Sequence, residues 1–191
     1  WADMVYSFST YERDATYRYF TPRFSPSGTL LVQPQPTDVD THEFRFTSNL
    51  DGNFQWTFGA FSQNREAYVE SQVFIVDPNT GTSTGDFFFR RYVDSSLDQK
   101  ALFGEVSYDF TDKLTLTTGG RWFDVESVND AQQLVAFGGA AIDPLAPVAR
   151  TEADESSSVF KVHLAYEISD DLVSYAQWSQ GYRPGGANQD V

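Results

Sequence analysis

A chain of 191 residues with 27 acidic and 13 basic side chains has a formal charge of −14. That balance argues against nucleic acid as a partner, because phosphate contacts need clustered Lys and Arg. The absence of cysteine removes disulfides, thiol catalysis and Cys-based zinc sites. Aromatic residues make up 16% of the chain, Gly and Pro punctuate it, and no run approaches the roughly 20 apolar residues of a spanning helix.

Alternation of apolar and polar residues predicts seven strands. The first, 2–12, leads into a long connection, 13–41, rich in Pro, Ser and Thr (TPRFSPSGTLLVQPQPTD). Strands at 42–49 and 54–69 are joined by the short turn LDGN. A second long connection, 70–98, contains VDPNTGTSTGD. Strands at 99–110 and 114–126 flank the turn TDK, and a third long connection covers 127–156. Strands at 157–169 and 172–183 meet at the pair Asp170-Asp171. Long and short connections therefore alternate. In an antiparallel up-and-down meander this gathers every long loop at one end and every short turn at the other, as in outer-membrane β-barrels.

Each strand has one greasy face. Phe54, Trp56 and Phe58 share a face in the third strand, and Leu102, Val106 and Tyr108 in the fourth. Leu114, Leu116 and Trp122 do so in the fifth, and Phe160, Val162, Leu164 and Tyr166 in the sixth. Both a soluble sandwich and a membrane barrel bury such a face, so alternation leaves two readings open. The charges separate them. No charge breaks the apolar face within about ten residues of a short turn, whereas Glu66, Asp98, Lys100, Asp124 and Glu126 occupy it farther away. A tilted strand crosses the hydrocarbon layer in about 9–11 residues, so the charge-free band favours lipid. In the first and last strands the two faces are similarly polar and their direction stays open.

THEFRFTSNLDGNFQWTFGAFSQ, ALFGEVSYDFTDKLTLTTGGRWFDVES and FKVHLAYEISDDLVSYAQWSQGYRPGGAN, in this order, resemble the barrel region of TonB-dependent outer-membrane receptors. The resemblance implies a bacterial outer-membrane location and a 22-stranded barrel plugged by a separate domain. It also implies uptake of a scarce small molecule, such as a metal chelate, driven by the TonB complex through the plug. On this reading residues 1–191 are a partial barrel wall, without plug, signal peptide or C-terminal strands, and their partners are lipid, the ligand and TonB. The opening WADMVYSFST has neither the basic region nor the apolar run of a signal peptide. A soluble all-β binding domain and an outer-membrane barrel enzyme are the rival readings.

Chemistry-bearing residues are few. His163 on a polar face reads as a hydrogen-bonding lumen residue, and no G-x-S-x-G motif supplies a nucleophile, so no enzyme is expected. Asp170-Asp171 reads as a turn, and VDPNTGTSTGD lacks the oxygen spacing of a calcium loop; neither metal nor cofactor is expected. Ligand contact is assigned to Arg121 and Phe123 near the upper rim, to Arg90 and Arg91 in FFFRRY, and to Tyr182 and Arg183 in GYRPGG. Arginine offers a planar fork to carboxylate or phosphate. The alternative is that these arginines pair with neighbouring Asp and Glu. Gly181, Gly185, Gly186 and Pro184 would end the last strand.

Overall fold

A computed structural model describes residues 1–21, 28–143 and 147–183. They form one antiparallel sheet of nine strands. These are β1 (Ala2–Arg13), β2 (Thr16–Thr21), β3 (Thr29–Pro34), β4 (Thr37–Ser48), β5 (Phe54–Val76), β6 (Ser83–Thr111), β7 (Leu114–Val135), β8 (Ala149–Ser169) and β9 (Leu172–Ser179). Neighbours run β1-β4-β5-β6-β7-β8-β9, an all-β meander; β2 pairs with β3, and β3 with the upper part of β5.

All seven expected strands are present, but the long connections are mostly strand too. β6 alone has 29 residues, about 95 Å at ~3.3 Å per residue, against a hydrocarbon layer of ~30 Å. Between β5 and β6 only residues 77–82 turn. There Asp77 Oδ1 accepts the Asn79 amide (2.8 Å), and the Asp77 amide donates to the Thr82 carbonyl (2.9 Å). The first connection is likewise a continued hairpin. Two residues separate β1 from β2 and two separate β3 from β4. The Gln35 amide donates to the Ala15 carbonyl (2.7 Å) and the Tyr68 amide to the Pro36 carbonyl (3.1 Å), so pairing passes through the break. Pro34 and Pro36 have no N–H and cannot complete a ladder, which accounts for the break. The expectation of irregular loops failed because alternation marks a strand only where its two faces meet different surroundings; above the apolar band apolar residues follow one another, as in Val73, Phe74, Ile75 and Val76 of β5 and Phe87, Phe88 and Phe89 of β6, and do not alternate.

Over the lower half the register is continuous apart from single shifts beside two short turns, at Asp109/Thr111 and Glu167/Ser169. β7 pairs with β8 from Leu114↔Tyr166 to Ala131↔Ala149, and β5 with β6 from Phe54↔Tyr108 to Val73↔Phe89, without a shift. A one-residue slip would send every side chain to the opposite face, so this register keeps the faces distinct. It also fixes the two strands left open by sequence. Met4, Tyr6 and Phe8 of β1 lie opposite Phe46, Phe44 and His42, and Ala176 and Trp178 of β9 lie opposite Leu164 and Val162. These residues belong to the apolar outer face.

On that face Phe54, Phe58, Leu102, Tyr108, Trp122, Phe160, Val162, Leu164 and Tyr166 are exposed, and Trp56, Val106, Leu114 and Leu116 are half-buried. No second sheet covers it among the described residues. One cross-strand row reads Phe46, Phe58, Gly104, Gly120, Phe160. The Phe58 ring lies across Gly104 and the Phe160 ring across Gly120, so a Cβ at Gly104 would stand 2.6 Å from Phe58 and one at Gly120 3.0 Å from Phe160. Aromatic rings thus cover the backbone that the glycines leave bare.

Candidate functional site

The inner face carries two adjoining features, one apolar and one cationic. The apolar patch centres on Phe123, 1% exposed, with Ala101 and Val125 beside it and Phe61, Leu97, Val159 and Tyr182 packed around. β9 stops at Ser179, short of the expected 183, because Gln180 ends the ladder with both its backbone and its side chain. Its amide donates to the Phe160 carbonyl and its Oε1 accepts the Phe160 amide (2.9 and 3.0 Å). The chain then turns inward and sets the Tyr182 ring on Phe123, centroids 3.8 Å apart. Burial, with the Glu155 carboxylate nearby, raises the Tyr182 phenol above its ordinary range. Pro184, Gly185 and Gly186 lie outside the described residues.

Just below, Arg45, Gly59, Phe103, Arg121 and Val159 are successive cross-strand partners, one from each of five strands. Arg45, Phe103, Arg121 and Val159 border a cavity of about 510 Å³ that also takes in Glu105, Gly119 and Lys161. Gly59 has no side chain, and the Phe103 ring occupies the space a Cβ would need. The Arg45 guanidinium carbon is 6.0 Å from the centre of that ring. On β7, Gly119 plays the same part for an ion pair: Lys161 of β8 reaches over it to Glu105 of β6. Arg121 extends to β5 and lies over Phe61, its guanidinium carbon 5.1 Å from the ring centre, a cation–π contact.

Of the residues assigned to ligand contact from sequence, Arg121, Phe123 and Tyr182 converge here, with Arg183 exposed just after Tyr182. They are not at the rim, because β7 runs on to Val135. Arg90 and Arg91 are elsewhere. Twelve residues separate Arg91 from Phe103 along β6, roughly 40 Å of strand, and their side chains leave opposite faces. Arg90 Nε donates to Glu70 Oε1 (2.8 Å), and the Tyr68 hydroxyl donates to Glu70 Oε2 (3.1 Å). Arg90 therefore follows the alternative reading, an arginine paired with a nearby acid. Burial alone would raise the Glu70 carboxyl, but hydrogen bonds from Arg90, Gln72 and Tyr68 outweigh it and hold the carboxyl below its usual range. Burial and the bond to Glu70 push the Tyr68 phenol up to about 12. His163 lies on the inner face, 5.7 Å from the Tyr175 ring.

Sequence reasoning missed Arg45, Phe103, Glu105 and Lys161 as a group. Each sits on the expected polar face, but only the strand register brings them together. The short turns contained that register, since loop length sets hairpin pairing.

A single meander with a bare apolar outer face and a polar, cation-bearing inner face has the construction of a β-barrel wall. The family model described as TonB dependent receptor-like, beta-barrel matches residues 2–191, and the chain belongs to that family. Two solved structures share its fold. The ferric yersiniabactin uptake receptor FyuA from Yersinia pestis matches with a TM-score of 0.75 and 15% identity, over 100% of this chain and 27% of that one. The ferric citrate transporter FecA, in its unliganded form, matches with a TM-score of 0.60 and 15% identity, over 92% and 24%. The chain thus spans about a quarter of the length of these structures.

Proposed function

We propose that residues 1–191 are a stretch of barrel wall in a bacterial outer-membrane receptor that takes up a small-molecule ligand, a metal chelate such as a ferric siderophore, with energy from the TonB complex. TonB would act through a plug region outside these residues. The observation that carries this reading is the apolar face of the sheet. It is uncovered, aromatic-rich and free of charge up to the level of Lys100 and Asp124. In water a surface of that extent is an aggregation hazard; in a bilayer it is the required lipid contact. Family membership and the fold shared with FyuA and FecA support the same conclusion.

The test uses the full-length receptor in a bacterial host stripped of its own iron receptors. Radio-iron uptake is followed for a panel of ferric chelates, with and without a protonophore. Accumulation of one chelate that stops on de-energising is the expected result. Accumulation of none, or uptake indifferent to the proton gradient, would overturn the proposal.

A further inference from the structure

We infer that residues 180–182 form a two-position switch at the upper end of β9, with Tyr182 moving between the inner wall and the lipid boundary of the outer face. The inference goes beyond the transport reading, because it concerns only the wall and its lipid limit. Register defines the second position. The last pair, Lys161↔Ser179, continues as Phe160 opposite Gln180 and Ser158 opposite Tyr182. Side chains alternate along a strand, so on that continued ladder Tyr182 shares the outer face with Trp178. Ser158 is also the cross-strand partner of Trp122, in the row directly below Lys100 and Asp124. A tyrosine there keeps its ring in lipid and its hydroxyl at the headgroups.

The backbone does not force the inward turn, since neither Gln180 nor Gly181 has a positive φ. Two side chains hold it. Gln180 Oε1 accepts the Phe160 amide in place of the Gln180 carbonyl (3.0 Å), so leaving the ladder costs Phe160 no hydrogen bond. The Tyr182 ring gains Phe123, but its hydroxyl is buried in doing so, which offsets part of that contact. Pro184 bounds the switch: lacking an N–H, it cannot carry the ladder past the 158–182 pair. With Tyr182 inward, Ala149–Val159 of β8 has no partner on the side away from β7 among the described residues. With Tyr182 outward, one further pair closes on that edge and the Phe123 patch is uncovered. Ser179 and Gln180 also border the cavity of about 510 Å³, so whatever fills that space meets the root of the switch. Occupancy of the inner wall and pairing at the edge of β8 are thereby linked, because a contact that favours one position depopulates the other.

The test is amide hydrogen exchange of the full-length receptor in bilayer nanodiscs, read at Ser158 and Phe160, with thermal unfolding recorded for each variant. Residues 158 and 160 turn the same backbone edge toward β9, so the Ser158 amide is paired only when Tyr182 is outward. Gln180→Leu removes the substitute acceptor, and Phe123→Ala removes the inner seat. Each should slow Ser158 exchange about tenfold and leave Phe160 protected. Adding Tyr182→Ala to either variant should cancel the gain, since no ring is then left to place at the lipid limit; slowing that persists without the ring would refute the role of Tyr182. A Gln180→Leu protein that exchanges faster at Phe160, with Ser158 unchanged, would show a fixed strand end and overturn the switch. Unchanged exchange at both amides in both variants would do the same. Where a variant lowers the unfolding midpoint, the milder Gln180→Met or Phe123→Leu takes its place and is judged by the same two amides.

Discussion

Lys161 on β8 and Glu105 on β6 are joined across the strand between them, over the backbone of Gly119. A Cβ at 119 would stand 3.0 Å from the Gly104 carbonyl oxygen and 3.2 Å from Lys161 Cε. The glycine is therefore what lets an ion pair span two strands of the inner wall. Both partners are more than a third exposed, so the pair itself is worth little; the larger cost of a substitution comes from crowding.

Gly119→Val is expected to destabilise by about 1–3 kcal/mol through overpacking, and Lys161→Met by less than about 1 kcal/mol. Thermal and denaturant unfolding of the full-length receptor in detergent measures both. Equal effects would show that the ion pair, not the space above Gly119, sets the cost.

The β5–β6 hairpin has a pH range of its own. Glu70 is held below its usual range by Arg90, so its contribution is complete above the unfolded carboxyl value near 4.5 and is lost as pH falls through the lower folded one. Tyr68 has the opposite sense: its phenol is raised from 10.0 to about 12, so its contribution is complete below 10 and is lost as pH rises to 12. Hydrogen exchange of amides 68–92, corrected for intrinsic rates, should show greatest protection between these limits. In Arg90→Gln the burial that raises the Glu70 carboxyl loses its main opponent, and the acid limit moves toward neutral pH. An acid limit that stays in place would show that Arg90 does not hold Glu70.

Charge tolerance on the outer face should depend on depth. Leu116→Arg, about mid-band, is expected to cost about 2–4 kcal/mol of folding into a bilayer. Thr117→Arg, one residue away on the inner face, should cost much less, as should an arginine in place of Lys100. Reversible folding into bilayers of defined thickness gives these values, and thicker lipid should extend the intolerant zone upward. A penalty at Leu116 that ignores bilayer thickness would mean this face meets protein instead.

The chain by itself determined the seven strands, their alternation of long and short connections, and which residues share a face. It also contained the limits of the charge-free band. All of these follow from local pattern, because side chains alternate along a strand whatever its neighbours do. Arg121 and Phe123 were therefore legible as inner-face residues. Their surroundings were not. That Phe103 fills the place of a missing Gly59 side chain, that Lys161 meets Glu105 over Gly119, and that Tyr182 leaves β9 to cap Phe123 depend on which residues stand opposite one another across five strands. The same holds for the tall extensions of β5 and β6, where apolar residues run consecutively and leave no alternation to read, and for Arg90, which only the folded hairpin ties to Glu70. Periodicity assigned each residue to a face, and only the hydrogen-bond ladder between strands gave it neighbours.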